Sequence, residues 1–323
     1  MKYIEFALFF TGLAVVIYLI SATGVERLSA DVSMIGVWGF ILVLSQEILS
    51  HMANTIGWIY TIRPDKRTVT FRELFMYRLA GEGINYLTPT ATIGGEFVKI
   101  RLAARKLGVE EGTASITLAK FAETNGQVIF IILGLALILP FLPGLSQYRW
   151  WMFAAVLMAI SVVVLLLMML RYGFYTIAVK VLSQLKFTKK WFLEHKEKIH
   201  NIDKRIKEHT KERFTDLIYS IIWYTIAFAT SVIEVWIILY FLGLQTNWLM
   251  LFGVEVLSVL IEAILFFVPM KMGTQEGGKM LIFKILSMDP VKGLAMGVIR
   301  RARELFWATL GLVFYVALKA YNK

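Results

Sequence analysis

Apolar residues fall along this chain in six runs long enough to cross a bilayer: 4–22, 34–60, 113–139, 150–170, 215–242 and 291–318. A helix rising 1.5 Å per residue needs about 20 mainly apolar residues to span the hydrocarbon core. Two further stretches, 73–106 and 248–288, are apolar but interrupted by proline, glycine and carboxylates. Pro89 and Pro269 each remove a backbone donor and disfavour helix in the preceding residue. Gly94 and Gly95 follow the first, and Gly273, Gly277 and Gly278 the second, where they let the chain turn tightly. The pattern predicts a helix, a break and a second helix at each place.

The two interrupted stretches share a polar pattern. Glu82, Pro89, Glu96 and Lys99 recur 180 residues later as Glu262, Pro269, Glu276 and Lys279, and Lys120 and Arg300 extend the match. Flanking charge orients the runs. Loop 61–72 carries Arg63, Lys66, Arg67 and Arg72, and 171–213 carries twelve Lys or Arg. Segment 23–33 has only Arg27 beside Glu26 and Asp31, and 243–247 has no charge. The excess of Lys and Arg on cytoplasmic loops then puts 61–72, 171–213 and both termini in the cytoplasm. That count closes only if 73–106 dips in from the inside and 248–288 from the outside. The expected fold is an all-α integral membrane protein, with about six transmembrane helices plus two re-entrant helical hairpins in an inverted-topology repeat. It forms a single polytopic membrane domain over 1–323, unit one being 1–140 and unit two 141–323.

Composition narrows the chemistry. The chain is 58% hydrophobic with a formal charge of +11. Its basic residues flank apolar runs, where they orient the protein and attract anionic lipid headgroups, so nucleic acid is not an expected partner. The first run follows Lys2 without a small-residue cleavage site and reads as a span, not a signal peptide. The absence of cysteine rules out disulfides, thiolate metal sites and cysteine nucleophiles. His195, His200 and His209 lack metal-ligand spacing, and no metal or cofactor is expected. Nucleotide-binding glycine loops, His-Glu-x-x-His and Gly-x-Ser-x-Gly are all missing, so no catalytic residue is assigned. The basic segment 171–213 alternates apolar and basic residues and reads as a helix lying on the anionic inner leaflet.

A charge at the centre of a span costs about 2.5–3.5 kcal/mol on insertion scales. The charges of the repeat, the Lys120 and Glu123 pair at i and i+3, and Arg300, Arg303 and Glu304 beside Arg301 therefore need a reason. One reading is a polar cavity where the cations hold a phosphate-bearing headgroup, while Glu96 and Glu276 meet an amine or sugar or exchange a proton. Helices restarting after each break add free N–H groups suited to an anion. The plainer reading is a set of buried ion pairs that lock the hairpins. Glu47, His51 and Asn54 share one face of the second run, as a proton relay or as interhelical hydrogen bonds, and Glu234 occupies the repeat position matching Asn54.

The ordered motifs Asn85-x-x-x-Pro89 with Gly94-Gly95-Glu96, and Pro269-x-x-x-Gly273-x-x-Glu276-Gly277-Gly278 with Arg300-Arg301-x-Arg303-Glu304, resemble the lysylphosphatidylglycerol synthase transmembrane (flippase-like) family, in its branch associated with hopanoid biosynthesis. The resemblance implies movement of a lipid between leaflets. It does not imply lipid synthesis, because these residues hold no synthetase domain. The expected function is a lipid translocase of the cytoplasmic membrane, carrying a phospholipid or a polyprenyl-phosphate-linked lipid. Its partners would be lipids with anionic or zwitterionic headgroups and a lipid-modifying enzyme. The alternatives are a non-transporting scaffold for lipid or glycan biosynthesis and an intramembrane lipid-phosphate phosphatase, for which Thr88, Thr90 and Thr92 are the only hydroxyls in the first tip.

Overall fold

The computed structural model describes residues 2–87, 93–140, 149–173, 189–245 and 247–320. Among these, the regular structure is helical: α1 (Lys2–Thr23), α2 (Val25–Ser33), α3 (Gly36–Ile59), α4 (Phe71–Leu87), α5 (Ile93–Leu107), α6 (Val109–Ile138), α7 (Arg149–Tyr172), α8 (Lys189–Glu212), α9 (Phe214–Phe241), α10 (Trp248–Ile264), α11 (Thr274–Ile285) and α12 (Pro290–Ala320). By length and composition α3, α6 and α9 can each cross a bilayer, which makes this a multi-pass membrane protein. Segment 23–33, expected to be a loop, is instead helical. At Gly24, with φ 88, the chain bends by 92° into the amphipathic α2.

The helix bounds recur at the spacing read from the sequence. Shifted by 180 residues, α3, α4, α5 and α6 fall on α9, α10, α11 and α12, with every boundary agreeing within three residues. Helices α3 and α9 run antiparallel. The Ser220 hydroxyl donates to the Gly57 carbonyl (2.8 Å), the Gln46 amide donates to the Thr230 carbonyl (2.7 Å), and Gly39 touches Phe241 at the far end.

Both interrupted stretches fold as hairpins. In the first, α4 and α5 pair from mouth to tip through Lys106 and Glu73 (2.6 Å) and through the Gly95 N–H donating to Asn85 Oδ1 (2.6 Å). A Cβ on Gly95 would collide with the Gly81 carbonyl, so only glycine allows this approach. Pro89 lies outside the described residues. In the second, α10 and α11 are joined through residues 265–273, where Met270 (φ 53) and Lys271 (φ 51) take left-handed backbone and Gly273 (φ 76) begins α11. The first hairpin's mouth lies beside the end of α3, where the Thr68 hydroxyl donates to the Lys106 carbonyl (3.1 Å). The second opens beside the end of α9, where Lys292 donates to the Leu242 carbonyl (2.6 Å).

Burial divides the bundle into two apolar clusters. One gathers Val43 of α3, Phe130 to Ile138 of α6, Val232 to Leu242 of α9, and residues of α10, α11 and the start of α12. The other gathers Trp58, Leu74, Tyr77, Leu102, Ala114 to Ala122, Leu217 and Tyr224. On α3 the residues between the clusters run from Glu47 to Asn54, a layer roughly 10 Å deep at 1.5 Å per residue. On α12 the same layer holds Arg300 to Glu304, following Ile299 of the first cluster. One hairpin belongs to each cluster, and α4 and α10 both carry charged residues into this layer.

Helix α8 also departs from the expectation. Its residues Ile202, Asp203, Ile206 and His209 are buried, and Arg205 pairs with Glu110 (2.9 Å) and Glu111 (3.3 Å) at the start of α6. This half of α8 is docked on protein, because a leucine-poor basic helix still offers an isoleucine stripe at i and i+4. Lys204, Lys207 and Lys211 line the opposite, exposed face.

Candidate functional site

The layer between the clusters encloses a cavity of about 270 Å³. Helices α3, α4, α6, α9, α10 and α12 and the tip of the second hairpin supply its walls. The lining includes Glu47, Ser50, His51 and Asn54; Arg78 and Glu82; Glu123; Ser231 and Glu234; Glu255 and Glu262; Lys271; and Arg300, Arg303 and Glu304. Of the residues singled out from sequence, Glu47, His51, Asn54, Glu82, Glu123, Glu234, Glu262, Arg300, Arg303 and Glu304 therefore meet in one space.

Five carboxylates and four cations form a connected network around it. Arg303 reaches Glu47 (2.8 Å), Glu234 (2.7 Å) and Glu304 (3.8 Å). Arg300 reaches Glu255 (2.5 Å) and Glu234 (3.1 Å). Lys271 bridges Glu262 (2.7 Å) and Glu304 (3.3 Å), and Lys279 closes the chain on Glu262 (3.1 Å). Glu234 is fully buried at its centre. Beside the network, Glu82 pairs with Arg78 on the next turn of α4 and lies 3.3 Å from His51 Nδ1. Removing one partner of such a buried pair typically costs about 3–5 kcal/mol, because the other charge is left uncompensated.

Every cation lining the cavity is thus held by a carboxylate. Two of the N–H groups expected to cradle an anion are also taken. Gly95 N–H is bound by Asn85, and Gly273 N–H donates to Glu276 Oε2 (3.1 Å) as an N-terminal cap of α11. The cavity as built offers carboxylate in excess rather than open sites for phosphate.

The remaining sequence-derived residues shape the walls. Glu96 pairs with Lys99 (2.7 Å) and Glu123 with Lys120 (2.8 Å). These four surround a second space of about 10 Å³, together with Trp58, Arg78 and Tyr224. Arg78 and Glu123 line both spaces and form the wall between them. Gly94 and Gly95 sit at the tip-proximal start of α5. Pro269 is buried in the second break, Gly273 caps α11, and Glu276 and Lys279 are closed off from solvent.

Sequence reasoning passed over three residues that the fold makes central, and named Arg301 without its partners. Lys271 sits on the tip of the second hairpin and Glu255 lies within an otherwise apolar helix; Arg78 holds Glu82. Arg301 bonds Glu276 and donates to the tip carbonyls of Met270 (3.2 Å) and Lys271 (3.3 Å), and to the hydroxyl of Tyr86 (3.4 Å) on the first hairpin. An isolated charge in an apolar run was the available signal for Glu255. Arg301 sits beside two arginines in sequence, and only the fold separates its partners from theirs.

Compared with known protein families, residues 4–311 match the lysylphosphatidylglycerol synthase TM region. No curated protein and no solved structure matches the chain.

Proposed function

The chain belongs to the lysylphosphatidylglycerol synthase transmembrane family, and from that premise we propose that it is a lipid translocase whose cavity carries a lipid headgroup between leaflets. One observation carries the reading: a cavity of about 270 Å³, walled by charged side chains from both hairpins, lies between two apolar clusters of a membrane bundle. Intramembrane charge is expensive, and a polar space at this depth serves either folding or passage. A space able to hold a headgroup favours passage. The acyl or prenyl chains stay in the bilayer, and no covalent chemistry is assigned to the protein.

In this reading six helices cross the cell membrane with both termini in the cytoplasm, and the hairpins re-enter from opposite faces as an inverted-topology repeat. The recurrence of helix bounds at 180 residues and the antiparallel run of α3 and α9 support it. Rocking one unit against the other would expose the cavity to each leaflet in turn. Because the lining cations are already paired and carboxylates are in excess, the headgroup that suits the cavity is zwitterionic, with a positive group facing the carboxylates.

The test is leaflet exchange of headgroup-labelled lipid in proteoliposomes. Exchange with the wild type that falls in Glu82→Gln and Glu262→Gln, both folded, supports the proposal. Exchange no faster than in empty vesicles, across zwitterionic, anionic and polyprenyl-phosphate lipids, refutes it.

A further inference from the structure

The ion-pair network around the cavity does not balance. With every group ionised, its five carboxylates meet four cations, which leaves one negative charge in excess, and the neighbouring pair Arg78 with Glu82 and the pair Lys120 with Glu123 are each neutral. An uncompensated charge in a low-dielectric site is costly, so the cavity favours uptake of one positive charge.

One titratable base stands at this place. His51 on α3 is 4% exposed, its Nδ1 lies 3.3 Å from Glu82, and among the described residues neither ring nitrogen makes a hydrogen bond. Glu47, of the unbalanced network, precedes it by one helical turn. The groups facing the imidazole are Glu47 and Ser50 on its own helix, Phe75, Arg78 and Glu82 on α4, and Arg303 and Trp307 on α12. The Trp307 ring centroid is 4.8 Å away in an edge contact, which fixes the imidazole without consuming a nitrogen. Arg78 and Arg303 are each committed to carboxylates.

We propose that His51 is a proton-binding site of the cavity and that its proton is exchanged for the positive group of an arriving headgroup. The proton enters from water onto the imidazole, shared with Glu82, and restores neutrality to the empty cavity. A headgroup whose positive group enters the network while its phosphate stays outside it makes that proton superfluous, and it returns to water. This rests on the translocase reading for the exchange step, whereas the proton site itself stands on the geometry alone.

Two measurements separate them. In the first, imidazole nitrogens are followed by NMR through a pH titration of 15N-histidine-labelled protein, the His51 signal being assigned by its loss in His51→Gln. The expected result is a titrating imidazole, displaced to lower pH by Glu82→Gln, with proton release when a zwitterionic lipid is added. An imidazole that stays in one state across the range, or that ignores Glu82→Gln, overturns the proton site. In the second, leaflet exchange is measured with a pH difference across the vesicle. At one proton per lipid, one pH unit shifts the steady-state leaflet ratio by up to about tenfold, and folded His51→Gln equilibrates lipid with no bias. A wild type indifferent to the gradient, or a His51→Gln variant that keeps the bias, overturns the coupling. Absence of exchange under all conditions refutes the translocase and the coupling together, and the titration then decides the proton site.

Discussion

The guanidinium of Arg303 meets the carboxylate of Glu47 at 2.8 Å, joining helices whose contacting residues are 256 positions apart. The same guanidinium touches Glu234 at 2.7 Å, so one side chain on α12 compensates carboxylates on both α3 and α9, the two helices related by the repeat. Arg303→Ala leaves Glu47 uncompensated and Glu234 with Arg300 alone, and the expected loss is about 3–5 kcal/mol of stability, read as a lower unfolding midpoint in detergent. Adding Glu47→Gln to that variant recovers part of the loss, because it removes one orphaned charge; a strictly additive double variant would show that the pair is not coupled.

The second hairpin's tip depends on Arg301, which binds two of its carbonyls and the capping Glu276. Arg301→Ala is expected to speed amide hydrogen exchange across 268–274 while leaving the Gly57–Ser220 region unchanged. Uniform acceleration over the whole chain would instead mean that Arg301 serves global stability.

Gly311 of α12 lies against the Leu79 carbonyl of α4, where a Cβ would collide with backbone. Gly311→Ala should cost about 1–3 kcal/mol, the usual cost of overpacking a tight site. Gly24→Ala adds a Cβ into open space at positive φ and should cost about 1–2 kcal/mol from backbone strain alone. Thermal unfolding of the two variants checks the ranking, and an unchanged Gly311→Ala would show that the two helices separate freely.

Docking of α8 should weaken in acid. Burial holds the His209 imidazole below its ordinary value of 6.5, against the opposing pull of Asp216. The neutral form is therefore favoured when α8 is docked. Its contribution is complete above pH 6.5 and is lost as pH falls from there through the lowered folded value. Limited proteolysis of 189–212 should accelerate between pH 7 and 5 in the wild type and much less in His209→Gln. Equal acceleration in both would assign the effect to other groups.

The breaks were legible because Pro89 and Pro269 interrupt apolar runs at matching positions, each with glycines close behind, and proline disrupts a helix whatever the packing. The ion pairs were not. Lys99 and Lys279 occupy equivalent positions, yet Lys99 pairs with Glu96 while Lys279 pairs with Glu262. Two residues set the difference: Arg301 holds Glu276 in unit two, where unit one has Phe121 at the matching position and leaves Glu96 to Lys99. Arg78 takes Glu82 in unit one, but Ser258 stands at the matching position in unit two, leaving Glu262 to the lysines. Such choices depend on neighbours brought close by the fold. Helix α8 misled for a related reason: a basic amphipathic pattern reads the same whether its apolar stripe meets lipid or, as with Ile202 and Ile206, protein.

The central claim is that a headgroup passes through the cavity between the hairpins, and a single introduced thiol tests it most directly. The chain has no cysteine, and Ser231 lines the cavity without taking part in an ion pair. Ser231→Cys in proteoliposomes is treated with a cationic thiol reagent while leaflet exchange is followed. The account predicts that modification stops exchange, that excess zwitterionic lipid slows the modification, and that the unsubstituted protein is unaffected. Complete modification with undiminished exchange would contradict it, because lipid would then be moving by a path outside this cavity.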